Sequence, residues 1–292
     1  MKFRGHETFF IRKGWLSKGL KNIKKDPFVF MGNSGNPMDV LGIGSNMVKS
    51  LRYWLQAVGL TFEPTNGKKE QKLTPIGEII SDNDPYIEEI GTLWILHYCL
   101  VNNKEDATAW YFFFNDFKAA EFNRDDFIRQ ISAYLRMHGE EVSERSLEDD
   151  YACIINTYLP RIKSNPEKVQ PESNIDCPLG ELGLIDIVDK RNKVYKKSSP
   201  KKENIPILIA LAILIDQAKG KTEIKISDIQ NEASNIGKVF NLDIITLTAL
   251  LYDMELSGYI KVVRTAGLDV VRLVTTMSFL ECVSMYYKTI NG

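Results

Sequence analysis

The sequence predicts a mainly α-helical protein in which two winged helix-turn-helix-like units, each with a small β-hairpin wing, flank a helical middle region. Three observations support this architecture. Apolar residues recur at helical spacing along most of the 292 residues. Helices followed by a hairpin occur near the N-terminus and again near the C-terminus, in an order typical of winged helices. The region between them is acidic and rich in aromatic residues.

The first unit opens with a pattern from His6 to about Lys25 that predicts a helix, because its apolar residues recur at near-helical spacing. The stretch GNSGNP then breaks the chain. The next helix begins with Ser45 as its N-cap and runs to about Val58, with Gly59 as its stop signal.

A hairpin follows this helix. Leu60 to Glu63 and Gln71 to Leu73 are expected to form two short strands, because Asn66-Gly67 between them is a strong turn signal. Thr74 then caps a further helix that has proline at its first position. The stretch LTPIG resembles the end of the wing in many winged-helix regulators.

The helix that begins at Ser45 is amphipathic. Its apolar residues form one stripe, and Lys49, Arg52, Tyr53 and Gln56 form a second stripe that we expect to point away from the core. In a winged helix this element enters the major groove of duplex DNA while the wing follows the phosphates. Lys and Arg suit phosphates, whereas Arg, Asn and Gln also suit base edges.

The candidate DNA-binding residues fall into three groups. They are Asn46, Lys49, Ser50, Arg52, Tyr53 and Gln56 on or beside the helix face, Lys68, Lys69 and Lys72 on the wing, and Arg4, Arg12 and Lys13 as an extension of the basic surface. The alternative is an ordinary charged helix face in contact with solvent.

The charge distribution fits an anionic partner at one end of the chain. Residues 1–80 contain 13 Lys and Arg against 6 Asp and Glu, whereas residues 81–160 contain 6 against 16. A basic block favours association with polyanions such as DNA. The alternative is that the two blocks face each other and neutralise within the fold.

The middle of the chain is expected to be helical as far as about residue 159. Its aromatic core is predicted to include Trp94, His97, Trp110, Tyr111 and Phe112. A polar stretch at 163–173, a hairpin near 184–195 and a flexible basic boundary at 196–204 follow. The predicted domains are therefore 1–82 (N-terminal winged-helix-like), 83–162 (acidic, helical), 163–204 (linker with a hairpin) and 205–292 (C-terminal winged-helix-like).

The second winged-helix-like unit does not share the basic character of the first. Its third helix, DIITLTALLYDMELSG, contains three acidic residues and neither Lys nor Arg. Such a helix would be repelled by a phosphate backbone. We therefore expect this unit to contact protein, although Lys261, Arg264 and Arg272 near its wing leave phosphate contact open.

No catalytic constellation stands out, and no metal or cofactor is expected. Gly5-His6-Glu7 lacks the second histidine of a zincin motif, and LGIGSN lacks the lysine of a phosphate-binding loop. Adjacent carboxylates such as Asp149-Asp150 diverge around a helix axis and rarely share one metal. We therefore expect a non-enzymatic protein, while a nuclease site assembled from distant carboxylates stays open.

The expected location is the cytoplasm. The sequence has no apolar run long enough to span a membrane and no secretory signal at its N-terminus. Its four cysteines are far apart and form no CxxC pair, which is typical of reduced thiols.

Five blocks of sequence resemble successive blocks of a bacterial and archaeal family, the domain of unknown function 4007. They are GHETFFIRKGWLSKG, LGIGSNMVKSLRYWL, LTPIGEII, DPYIEEIGTLWILHYCL and CPLGELGLI. The resemblance covers nearly the whole chain. It implies an association with DNA phosphorothioation-type phage defence systems, in which sulfur-transfer or ATPase subunits would be partners.

The sequence as a whole favours non-enzymatic binding of duplex DNA, as a subunit of a DNA-modification or defence system. The alternative is a protein-interaction adaptor whose winged units dock partner subunits. A homo-oligomer is compatible with either function, and a membrane partner is not expected.

Overall fold

The computed structural model describes residues 1–33, 35–159, 177–265 and 268–292. Within these ranges the chain is mainly α-helical with small antiparallel sheets, as the sequence predicts. The polar stretch at 163–173 that we assign to a linker lies outside the described residues. Among the helices of the described ranges, none combines the length and the apolar character that crossing a membrane requires.

The N-terminal elements follow the predicted order. They are α1 (Trp15–Lys25), α2 (Pro37–Leu41), α3 (Ser45–Ala57), β1 (Thr61–Phe62), β2 (Lys72–Leu73) and α4 (Pro75–Asn83), with β1 and β2 antiparallel. Side-chain caps set two of the boundaries, since Asn36 accepts a hydrogen bond from the Met38 N–H, and Thr74 accepts one from the Gly77 N–H. The N-cap of α3 is Gly44, one residue earlier than predicted.

The segment before α1 is not the helix that the spacing predicts. Arg4, Glu7 and Thr8 adopt left-handed backbone angles, and the helix begins only at Trp15. The cause is His6, whose buried ring lies with Nε2 2.6 Å from Asp150 Oδ1 and accepts the Thr8 N–H at Nδ1. A buried imidazole needs such partners, and the chain turns around the ring to supply them.

The middle region is a helical core. Its elements are α5 (Ile90–Asn102), α6 (Thr108–Asn115), α7 (Arg124–Met137) and α8 (Glu144–Tyr158). The predicted aromatic core is present, with Trp94, His97, Trp110 and Phe112 buried, whereas Tyr111 is partly exposed.

His97 is a hydrogen-bonded core residue, as the sequence suggests. Its Nε2–H donates to the Val239 carbonyl at 2.6 Å, so Nδ1 accepts from the Tyr158 hydroxyl at 2.8 Å. Burial outweighs the Val239 bond and lowers the pKa of His97 to about 4.

The hairpin predicted after the middle helices is present, but it is part of a larger sheet. The strands are β3 (Glu121–Phe122), β4 (Ile185–Asp189) and β5 (Val194–Lys197), in the order β3-β5-β4. Phe122 lies opposite Tyr195 in the antiparallel register. The Lys197 ammonium donates to the carbonyls of Phe113 and Phe117 at the end of α6. The start of the predicted flexible boundary is therefore a strand bound to the middle helices.

In the C-terminal region helices precede a β-hairpin, as predicted, and one more helix follows the hairpin. The elements are α9 (Ile207–Ala218), β6 (Glu223–Lys225), α10 (Ile226–Asn231), α11 (Ile236–Val239), α12 (Ile244–Leu256), β7 (Ile260–Thr265), β8 (Leu268–Leu273) and α13 (Phe279–Asn291). The sheet order is β6-β8-β7, which makes β7 an edge strand.

The last helix, α13, joins the C-terminal elements to the rest of the chain. It packs against α9 and against α4. The Tyr286 hydroxyl accepts the Gly91 N–H at 3.1 Å, and the Tyr287 hydroxyl bonds to Thr92. A Cβ on Gly91 would lie 2.3 Å from the Tyr286 ring, so only glycine permits this approach.

Candidate nucleic-acid interface

The first turns of α3 carry the exposed part of the predicted interface. Asn46 and Lys49 are both exposed to solvent. The N-cap, Gly44, has no side chain that could bond to the first-turn N–H groups. A helix N-terminus without such a cap presents free donors and a partial positive charge, which suit phosphate oxygens. This end of α3 is therefore suited to an anionic partner.

Ser50 and Tyr53 do not lie on the outward face where the spacing places them. Both are buried, and the Ser50 hydroxyl donates to the Phe9 carbonyl at 3.4 Å while the Tyr53 hydroxyl donates to the Asp106 carbonyl at 2.9 Å. Burial, together with the nearby Asp150 carboxylate, raises the pKa of Tyr53. The reason for the difference is that the N-terminal segment and the loop between α5 and α6 cover α3 on a second side.

Arg52 and Gln56 lie on the expected side of α3, but both are bonded to the hairpin. The Arg52 guanidinium binds both carboxylate oxygens of Glu63, at 2.6 and 2.7 Å. The Gln56 amide donates to Glu63 Oε1 at 2.6 Å, and the Gln71 amide donates to the same oxygen. In this structure neither side chain is free to read a base edge.

The electrostatics of Glu63 follow from these bonds. Burial alone raises the pKa of its carboxyl, but the bonds and charge of Arg52, with the bonds from Gln56 and Gln71, outweigh burial and lower that pKa. The Thr61 hydroxyl donates to Gln71 Oε1 at 3.1 Å and so extends the set of bonds across both strands. We call these five residues the Glu63 network. It fixes the hairpin against α3.

Sequence reasoning missed Glu63. The sequence gives little indication of its role, because a single acidic residue in a short predicted strand matches no recognised motif. The only available clue was a carboxylate in a basic region, eleven residues from Arg52 and at the start of a tight hairpin. A buried or partly buried arginine commonly pairs with such a carboxylate in bidentate geometry.

The three hairpin lysines, Lys68, Lys69 and Lys72, are exposed. Lys68 and Lys69 lie in the turn between the strands, where the Asn66 side chain accepts the Lys68 N–H and Lys69 adopts a left-handed backbone. Lys72 lies on β2, with its ammonium 3.7 Å from the Glu70 carboxylate. The hairpin therefore carries three cations on its solvent side.

The outlying basic residues differ in what surrounds them. Arg4 is exposed, but its Nε lies 2.8 Å from Asp149 of α8, so its charge is compensated. The Arg12 guanidinium lies over the rings of Trp15 and Phe9, at 5.2 and 5.7 Å from their centroids. Lys13 is exposed. Only part of the predicted basic extension is thus available to a ligand.

The C-terminal unit exposes an apolar surface instead of a basic one. On α12, Ile244, Ile245, Tyr252 and Leu256 are exposed, with Ile245 79% accessible. Ile244, Ile245 and Tyr252 border a groove of about 710 Å³. We call it the α12 groove; it is lined mainly by Ile226, Ile244, Ile245, Tyr252, Val262 and Arg264.

The cations near the β7–β8 hairpin are few. Arg272 pairs with Glu223 on the neighbouring strand at 2.7 Å. Lys261 and Arg264 are exposed on β7. The carboxylates of α12 are also engaged, since Asp243 caps the helix and Asp253 pairs with Lys202 at 2.6 Å.

Candidate metal ligands are dispersed. Among the described residues, no three His, Cys, Asp or Glu side chains come together in an arrangement that could hold a metal ion. None of the four cysteines, all within the described residues, forms a disulfide. Burial raises the pKa of Cys99 to about 12, which disfavours its reactive thiolate form.

Family and structural comparisons agree with the assignment made from the sequence blocks. The family described as "Protein of unknown function (DUF4007)" matches residues 3–287, and the chain belongs to that family. Two solved structures are similar over 99% of this chain and 87% of theirs. One is SspB, with 26% identity and a TM-score of 0.82, and the other is magnesium ion-bound SspB, with 25% identity and a TM-score of 0.83. None of the curated proteins matches the chain.

Proposed function

We propose that this protein is a non-enzymatic DNA-binding subunit that contacts duplex DNA through its N-terminal unit. In this proposal α1, α2 and α3 form a helix-turn-helix and β1 and β2 form its wing. The observation that carries the proposal is the joint placement of Lys49 on α3 and Lys68, Lys69 and Lys72 on the hairpin. All four are exposed, and the Glu63 network holds the two elements together.

The residues of α3 have different proposed roles, and not all of them would contact the DNA groove. Asn46 and Lys49, with the N–H groups of the first turn, would approach the DNA, and the hairpin lysines would follow the phosphates. Arg52 and Gln56 are positioning residues, because they act through Glu63. Ser50 and Tyr53 are core residues and have no direct role.

The proposed setting is a DNA-modification system of the phosphorothioation type. The family resemblance supports this setting, and sulfur-transfer or ATPase subunits would then carry the chemistry.

Fluorescence anisotropy of a labelled random-sequence duplex, titrated with the full-length chain at two salt concentrations, tests the proposal. Lys49→Glu should weaken binding and reduce the salt slope by about one, because one phosphate contact is lost. A joint Lys68→Glu and Lys69→Glu variant should reduce the slope further. Lys288→Glu, an equal charge change at an exposed site on α13, is the matched control.

Two results would overturn the DNA-binding proposal. One is the absence of duplex binding by the wild-type chain at low salt. The other is an equal loss for Lys288→Glu and Lys49→Glu, which would mean that binding follows net charge and not the proposed surface.

A second function, that of an adaptor, is favoured at the C-terminal unit by the α12 groove. An apolar groove on a helix without Lys or Arg is suited to protein and unsuited to phosphate. The two functions are compatible, because they use different surfaces of the chain.

A further inference from the structure

We infer that Asn46 is the base-reading residue of α3 and that it recognises adenine in the major groove. The inference rests on the DNA-binding function proposed above and deepens it, because it states which base the protein distinguishes. It also states that sequence recognition is short, because Arg52 and Gln56 are bonded within the protein.

Few side chains of α3 can reach a base. Within α3, which the structure describes in full, only Ser45, Asn46 and Lys49 are exposed. The longer side chains of Arg52 and Gln56, farther along the helix, are bonded to the hairpin. The exposed positions all lie within the first five residues of α3. In helix-turn-helix proteins, the N-terminal residues of the recognition helix are the ones that contact base edges.

The three exposed side chains differ in what they can recognise. The Lys49 ammonium only donates hydrogen bonds, and the Ser45 hydroxyl offers a single atom. The Asn46 amide holds a donor and an acceptor side by side, which match N7 and the N6 amino group of adenine. Guanine presents two acceptors at the same edge, so it can satisfy only half of the amide. The chemistry of Asn46 therefore selects adenine.

The Asn46 amide is available for this contact. Its side chain makes no hydrogen bond to any other residue within the described ranges. Asn36, by contrast, is engaged, because its side chain accepts the Met38 N–H at 3.1 Å. A phosphate oxygen only accepts hydrogen bonds, so a backbone contact would leave the Asn46 carbonyl oxygen without a donor. A base edge with a paired donor and acceptor uses both halves of the amide.

The spacing of the exposed residues limits how much sequence α3 can read. Ser45 and Lys49 are four residues apart, which corresponds to about 6 Å along the helix axis. Successive base pairs are about 3.4 Å apart along a strand. The exposed part of α3 therefore spans about two base-pair steps. Recognition is confined to one adenine and its neighbour, and the hairpin lysines add affinity without sequence preference.

The test uses a short fluorescein-labelled duplex that contains all four bases, together with two modified copies of it. In one copy every adenine is replaced by 7-deazaadenine, which keeps Watson–Crick pairing but lacks the N7 acceptor. In the other copy every guanine is replaced by 7-deazaguanine. Anisotropy with the full-length chain at low salt gives the Kd of each duplex. We expect 7-deazaadenine to weaken binding by about fivefold, as for the loss of one hydrogen bond, and 7-deazaguanine to leave it unchanged.

Two variants on the same turn of α3 locate the contact. Asn46→Ala should bind the unmodified duplex at least as weakly as the wild type binds the 7-deazaadenine duplex, and it should no longer distinguish the two. Ser45→Ala, the matched control at the neighbouring exposed position, should retain the fivefold difference. Alanine has the highest helix propensity, so both variants are expected to fold, and circular dichroism checks this.

Four outcomes would overturn the inference while duplex binding remains. They are equal affinity of the wild type for the unmodified and 7-deazaadenine duplexes, an equal effect of 7-deazaguanine, a 7-deazaadenine effect that persists in Asn46→Ala, and a loss of that effect in Ser45→Ala. Absence of duplex binding by the wild type would overturn the proposed function and this inference with it. A failure of base reading is therefore distinct from a failure of DNA binding.

Discussion

For the Glu63 network, the effect of charge on DNA affinity and the effect of structure on DNA affinity are expected to have opposite signs. Glu63→Gln removes one negative charge from the basic end of the protein. If only charge mattered, the variant would bind duplex DNA more tightly. If the carboxylate fixes the hairpin against α3, the variant should bind more weakly, because the wing lysines lose their fixed position.

The size of the effect follows from the geometry. Hydrogen bonds to a charged group contribute about 1.5–3 kcal/mol when buried, whereas exposed ion pairs contribute about 0–1 kcal/mol. The Arg52 and Glu63 side chains are 26% and 23% exposed, which is between these limits. We expect a loss of about 1–2 kcal/mol in the free energy of unfolding and duplex binding weakened by about fivefold.

Glu70→Gln is the matched control. Glu70 lies on the same hairpin and makes only a 3.7 Å ion pair with Lys72, so its removal changes the charge equally without releasing the hairpin. Chemical denaturation and anisotropy are measured for both variants. If Glu63→Gln and Glu70→Gln bind DNA equally, or if both bind more tightly than the wild type, the positioning argument is refuted.

The contribution of Glu63 to stability is also expected to depend on pH in a defined direction. Because the folded-state pKa of Glu63 is lowered, its contribution is present above the unfolded pKa and is lost as the pH falls through the folded value. The stability difference between wild type and Glu63→Gln should therefore shrink in acid. A difference that is constant from neutral to acidic pH would contradict the charge-assisted role of the network.

Further predictions concern the stability of the fold. Gly77→Ala should destabilise by more than about 2 kcal/mol, because the added Cβ would lie 2.1 Å from the Leu60 carbonyl oxygen, and denaturant unfolding measures the loss. Gly67→Ala, which meets no atom within 4 Å but has a left-handed φ, should cost about 1 kcal/mol. His97, with a pKa of about 4, should make the fold less stable by up to about 3 kcal/mol as the pH falls from about 6.5 to 4, since the unfolded chain takes up the proton first. His97→Gln should flatten this dependence in unfolding measured against pH.

Local signals account for the parts of the N-terminal unit that the sequence predicts. The Asn66-Gly67 turn and the Thr74 cap act within a few residues, so the hairpin and the start of α4 can be located without tertiary information. Gly77 of the LTPIG stretch has a physical explanation in the same contact with Leu60.

The burial of Ser50 and Tyr53 could not be predicted in the same way. Helical spacing places them beside Lys49, but Phe9 and Asp106, which cover them, are distant in sequence. Helical periodicity separates one buried stripe from one exposed stripe, and it fails for a helix buried on two sides.

The candidate site on α12 shows the opposite case. The lack of Lys and Arg is visible in the sequence and already argues against phosphate contact. The groove itself requires β7 and α10 to lie beside α12, and Arg264 reaches it only through the hairpin. The amino-acid composition of α12 therefore predicts a surface unsuited to phosphate, whereas the groove can be recognised only from the fold.

The contacts of α13 bear on how a docked partner would be placed. Because Tyr286 and Tyr287 bond to the first turn of α5 and the same helix packs against α4, side-chain contacts attach the C-terminal unit to the N-terminal part of the chain. A partner in the α12 groove would then act at a set offset along the duplex from the bases under α3. The packing of α13 would then set the spacing between the proposed DNA contact and the docked partner.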